Sequence, residues 1–161
     1  MSDFVRSRLI RGLKQNATVL EGILLGVSQA DAAGSTDGPD GWSVLQIVCH
    51  LRDLEEIFNQ RVALILAGGN PAYPRIDVEA LARERDYAGQ DLRAAEAELR
   101  AHRRRFVATL ERLTPDQWEM TGVHPVYGPQ DVERLVFQTA FHDVDHLDQI
   151  TRCLGRGERF A

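Results

Sequence analysis

The chain has 161 residues, with 19 Lys and Arg against 24 Asp and Glu, five His and two Cys, enough for one domain over residues 1–161 that needs neither disulfide nor structural metal to fold. A net charge of −5 excludes a non-specific nucleic-acid binder, which needs excess Lys and Arg to neutralise phosphate, and 43% hydrophobic residues exclude disorder. No apolar run approaches the roughly 18 residues of a membrane span, and MSDFVRSRLIRGLK sets Asp3 and several Arg where a signal peptide would be apolar, so no membrane partner and a cytoplasmic location are expected.

Apolar positions recur at helical spacing through four long stretches, and no stretch alternates like a half-buried strand, so the expected fold is all-α. The first helix covers roughly 3–29, with Leu9, Leu13, Leu20, Leu24 and Val27 on one stripe, and the breaker-rich DAAGSTDGPDG that follows reads as a loop. A second helix runs from Ser43, with Gln46 as its capping-box partner and Trp42 able to staple onto Ile47, to about Ala67, where Gly68 and Gly69 end it. Residues 70–88 form a crossover with one short helix. The third long helix covers 89–113 with Leu92, Leu99, Phe106, Leu110 and Leu113 inward, and its cluster Arg103, Arg104 and Arg105 reads as a solvated face. A short turn starts at Thr114-Pro115, the loop TGVHPVYGP follows, and the fourth helix runs from an Asp131 N-cap to Gly155. Helices each about 30–40 Å long make a four-helix bundle. Cys49 and Cys153 lie too far apart in the chain for a zinc-ribbon spacing; both read as small buried apolar residues in a reducing compartment.

Three of the five histidines fall on core stripes. On the fourth helix the stripe reads Leu135, Thr139, His142, His146, Ile150 and Leu154; on the second it reads Ile47, His50, Leu54 and Phe58. A buried imidazole nitrogen without a partner costs about 1–3 kcal/mol, and a shared divalent ion would remove that cost for all three. Residues four apart on a helix lie on one face about 6 Å apart, so two such rings can bring their nitrogens to the roughly 3.3 Å that a tetrahedral site requires, with His50 closing the third corner. The competing reading is of histidines satisfied by carbonyls and carboxylates.

The segments Trp42-Ser43, Leu45, His50-Leu51 and Glu55, then His142-Asp143, His146-Leu147 and Gln149, with His124-Pro125 and Tyr127-Gly128 just before the last helix, resemble the DinB-like/YfiT-like family over nearly the whole chain. The resemblance implies a four-helix bundle with a crossover between helices two and three, and a divalent metal, nickel or zinc, held by His50, His142 and His146. It implies similarity to transferases that use low-molecular-weight thiols such as bacillithiol, mycothiol or glutathione, and to metal-dependent hydrolases. It also allows a homodimer, with the first helix or the 70–88 crossover as interface.

Two enzymatic routes follow for a small-molecule substrate. The metal either activates a cofactor thiol against an electrophile, the preferred reading, or activates water as hydroxide for hydrolysis, which calls for a carboxylate base; Asp143, Asp53 and Asp145 are candidates. A third reading is a metal- or ligand-binding protein without turnover. HDVDH also has the spacing of the zincin motif H-E-x-x-H, but Asp143 is one methylene shorter than the Glu that motif needs. One of Asp143, Asp145, Asp53 and Gln149 is expected to hydrogen-bond an imidazole and fix its tautomer. His124 is placed at the pocket mouth and His102 is read as structural.

Overall fold

The computed structural model describes residues 3–156. Helix α1 spans Asp3–Leu24, five residues short of the expected end. The chain turns at Gly26, whose φ of 76° is open to glycine without strain. Ser28 then caps a separate short helix, α2 (Gln29–Gly34), through a capping box with Asp31. That box is why part of DAAGSTDGPDG is helical rather than loop: a Ser followed three residues later by an acidic side chain satisfies two backbone N–H groups at once.

Helix α3 (Val44–Leu66) begins as expected: Ser43 Oγ accepts from Gln46 N, and Gln46 Oε1 accepts from Ser43 N at 2.8 Å. The crossover carries α4 (Val78–Glu84) and a 3-10 turn at Tyr87–Gly89. Asp91 caps α5 (Leu92–Leu110), which is therefore shorter at both ends than the 89–113 read from the apolar stripe. After α6 (Pro115–Trp118), the segment expected as a loop forms a β-hairpin, β1 (Thr121–His124) against β2 (Gly128–Asp131). Its strands are too short for alternation to register, and its stability comes from outside the hairpin. Val123 also pairs with the crossover, donating to Pro71 O and accepting from Tyr73 N, and Gly122 packs so close to the Tyr73 ring that a Cβ there would sit 2.3 Å from its hydroxyl. Asp131 then caps α7 (Val132–Cys153) by accepting from Arg134 N.

Helices α1, α3, α5 and α7 form a closed ring in which α3 packs on α5 and α7, and α1 packs on the same two. The core falls into two apolar clusters, one with Leu20, Leu51, Leu99 and Leu147, the other with Leu13, Phe106, Leu135 and Ala140. Between them each long helix contributes one polar residue: Asn16, Glu55, Arg103 and Asp143. Arg103 donates to both Glu55 oxygens at 2.6 and 2.8 Å and to Asp143 Oδ1 at 3.0 Å, and Asn16 donates to Asp143 Oδ2 at 3.2 Å. The expectation of a solvated Arg103 is thus corrected: Arg104 and Arg105 are exposed, whereas Arg103 is buried because its neighbours supply two carboxylates. Burial opposes its charge, but Glu55 and Asp143 outweigh burial and hold the guanidinium protonated.

Candidate metal centre

His50 lies within the buried run Val44–Glu55 of α3, and His142 and His146 lie one turn apart on α7. Because α7 packs on α3, the three rings meet. His50 Nε2 is 3.2 Å from His142 Nε2, and His146 Nε2 is 3.1 Å from the same atom. One ligand nitrogen from each residue falls within 4.8 Å of the others. Trp42, just before α3, closes one flank with its ring centroid 5.0 Å from that of His50 in an edge-on contact. Phe58 approaches His142 from the other side, centroids 6.3 Å apart.

The electrostatics favour neutral rings. Burial, with the neighbouring imidazoles adding to it, pushes His50 down to about 3. Burial and His146 take His142 to about 4, and burial lowers His146 against the opposing pull of its hydrogen bond to Gln149. That bond is short, 2.7 Å between His146 Nδ1 and Gln149 Oε1. The amide oxygen can only accept, so the proton belongs on Nδ1 and the lone pair on Nε2, which points at the other two rings. His142 Nε2 then faces two ring nitrogens, and the single N–H it could carry cannot be well directed at both. Nitrogen lone pairs this close, 3.1–3.2 Å apart, fit a shared cation: that is the separation of tetrahedral ligands at metal–nitrogen bonds of about 2.0–2.1 Å.

The other expected site residues divide sharply. Gln149 is the residue that orients an imidazole. Asp143, next to His142, points the opposite way into the Arg103 layer, so it is no zincin-type base. Asp53 is also remote in role: its carboxylate accepts from Arg52 at 2.8 Å, Arg85 at 2.9 Å and Tyr87 Oη at 2.7 Å. Both are corrected as general-base candidates, since each is consumed by buried ion pairs. Asp145 is exposed and shares with His142 the lining of a cavity of about 530 Å³. His124 lines the same cavity, its Nδ1 accepting from Val126 N and Tyr127 N of the hairpin turn. His102 is structural, with Nδ1 at 3.2 Å from Arg52 O. Cys49 is buried as expected, and its thiol is pushed up to about 11 by burial; Cys153 is half-buried.

The far wall of the cavity, including Arg61 and Arg75, escaped sequence reasoning. The signal was present in Arg61, a cation three turns beyond His50 on the inward stripe of α3. Among the described residues no helix is long and apolar enough to cross a membrane.

Residues 13–150 match the family model of the DinB superfamily. Two proteins of Oceanobacillus iheyensis, each named a putative metal-dependent hydrolase, are 29% identical over 109 residues and 28% identical over 111. These alignments cover 68% and 69% of this chain and 62% and 64% of those proteins, so the chain spans less than two thirds of the curated relatives it matches. Among solved structures, YfiT from Bacillus subtilis, described as a probable metal-dependent hydrolase with an unusual four-helix bundle topology, has a TM-score of 0.86 at 24% identity, covering 97% of this chain and 89% of that one. This likeness shows the fold, a four-helix bundle.

Proposed function

The chain belongs to the DinB superfamily, and from that membership and its three converging imidazoles we propose that it is a metal-dependent hydrolase of small molecules, its divalent ion held by His50, His142 and His146. The observation that carries the reading is the meeting of three ring nitrogens within 4.8 Å, two pairs of them at 3.1–3.2 Å, with no carboxylate in the group and open cavity beside His142. The names of the two Oceanobacillus relatives point the same way. Zinc and nickel both suit such a donor set.

A divalent ion there would supply Lewis acidity, bringing a neighbouring water toward ionisation near neutral pH and polarising a substrate carbonyl. The chain supplies the rest. Gln149 holds the His146 proton on Nδ1 and so keeps Nε2 free as a donor. Burial keeps His50 and His142 uncharged, so protons do not compete for the site at neutral pH. Trp42 packs edge-on against His50, and Phe58 gives the cavity beside His142 an apolar surface. Asp145, the one carboxylate in the cavity lining, is the group that would take up a proton from water there.

A second reading, transfer of a low-molecular-weight thiol to an electrophile, is favoured by one observation: two of the three candidate bases are locked in ion pairs, and thiol transfer needs no protein carboxylate. One experiment separates the two. Untagged protein supplied with zinc or nickel is expected to carry about one equivalent of metal, falling below about a tenth in the His50→Ala, His142→Ala and His146→Ala variants. The loaded protein should cleave members of an ester and amide panel without added thiol, and His146→Ala should bring this to the level of chelated protein. Turnover seen only when bacillithiol, mycothiol or glutathione is added would replace the hydrolase with the transferase. Wild-type protein that takes up no metal would overturn both.

A further inference from the structure

We propose that the cavity beside His142 selects small, elongated molecules that carry an oxyanion, carboxylate or phosphate, at one end of an apolar body, with Arg61 as the anion's main partner and Arg75 at its rim. The proposal rests on the hydrolase reading only for which end reacts; the anion site stands on its own residues.

One wall of the cavity is a single stripe of α3. From His50 the same face presents Leu54, Phe58 and Arg61, and the eleven residues from His50 to Arg61 make three turns, a rise of about 16 Å. His50 itself lies behind the lining; the α3 wall is Leu54, Phe58 and Arg61, two apolar side chains that lead to a guanidinium, and His142 of α7 brings an imidazole to the same cavity. At about 530 Å³ the space suits a small organic molecule. Its lining also separates the charges: the only carboxylate is Asp145, on the same helix as His142, and the only permanent cations are Arg61 and Arg75.

Arg61 stands apart from the other arginines that are not fully exposed. Among the described residues these are Arg6, Arg52, Arg61, Arg103 and Arg152, and all but Arg61 have a carboxylate partner. Among the described residues neither Arg61 nor Arg75 has one, although the sequence contains 24 Asp and Glu. Arg61 Nε is buried without any hydrogen-bond partner. The guanidinium is held over two rings, 5.0 Å from the Tyr73 centroid and 6.0 Å from that of Phe58. The two rings partly dry the cation without supplying its N–H groups with acceptors. Burial works against its charge, and that charge in turn adds to the burial that lowers His124, which lines the same cavity. A desolvated, oriented guanidinium with unused donors is the arrangement that binds an oxyanion in a forked geometry. The apolar body of the ligand would lie on Leu54 and Phe58.

The test uses full-length protein stripped of metal with a chelator, titrated calorimetrically with 4-phenylbutyrate, 4-phenylbutyl phosphate and 4-phenylbutanol. At least one of the two anions is expected to bind about tenfold or more tighter than the alcohol. In Arg61→Gln that advantage should vanish while alcohol binding is unchanged, and in Arg75→Gln, an exposed position where folding is not at risk, it should shrink. The preferred anion identifies the oxyanion class. Equal affinity for anion and alcohol, no binding of any of the three, or an advantage that survives Arg61→Gln in a variant with native thermal stability would overturn the proposal. Because metal is absent throughout, failure of the hydrolase reading leaves these results untouched, and failure here leaves metal uptake untouched.

Discussion

His50, His142 and His146 were legible in the sequence because imidazoles on an otherwise aliphatic stripe need a reason, and helical spacing puts two of them on one face. Which neighbour orients them was not legible. Asp143, Asp145 and Gln149 all lie within three residues of a histidine, and only the rotation of α7 decides that Gln149 reaches Nδ1 while Asp143 turns to Arg103. The same burial that makes the rings good ligands makes them a liability in the absence of metal. An unfolded histidine titrates near 6.5, whereas folded His50 and His142 are held at about 3 and 4. Their folded values are depressed, so their share of stability is complete above pH 6.5 and is lost as pH falls toward 4. Each should contribute a slope of about 1.4 kcal/mol per pH unit within that window. Urea unfolding of chelated protein at pH 7.5, 6.5, 5.5 and 4.5 should show a plateau and then a decline, with His50→Leu shallower. A flat profile down to pH 4.5 would mean that the rings are solvated rather than buried.

Helix α7 presents two chemistries on two faces, His142 and His146 toward His50 and Asp143 toward the polar layer. The layer places Asn16, Glu55, Arg103 and Asp143 at one level of the four long helices, so it sets their axial register and with it the level at which His50 meets His142. Arg103→Met would leave Glu55 and Asp143 facing each other in a dry interior. The expected loss is about 3–5 kcal/mol, read as a lower urea midpoint, with metal affinity reduced in the fraction that remains folded. A loss below 1 kcal/mol would mean that water reaches the layer. The four long helices, the Ser43 and Asp131 caps and most inward stripe positions could be read from periodicity, since each depends on residues within one turn. The hairpin, the α2 restart and the burial of Arg103 could not. The hairpin leans on Tyr73 and Pro71, some fifty positions earlier in the chain, and Arg103 is buried only because two other helices bring carboxylates to it.

For the molecule as a whole, a divalent ion among neutral ligands would raise the formal charge from −5 to about −3 and tie α3 to α7, the two helices that also wall the cavity. An ion that binds the folded chain and not the unfolded one stabilises it by about 2.7 kcal/mol at a free concentration 100 times its Kd. For a chain of this size each kcal/mol is worth about 2–4 °C, so zinc or nickel at that level should raise Tm by about 5–10 °C. Gln149→Leu removes the acceptor that fixes the His146 tautomer; a 10- to 100-fold weaker site would at least halve the shift at the same metal concentration. His142→Ala removes the nitrogen that the other two face and should abolish it, while Arg61→Gln, remote from the ligands, should leave it intact. Differential scanning calorimetry of the four proteins with metal and with chelator gives the comparison. An equal shift in wild type and His142→Ala would place the ion on surface carboxylates and remove the basis for reading α3 and α7 as the walls of a metal site.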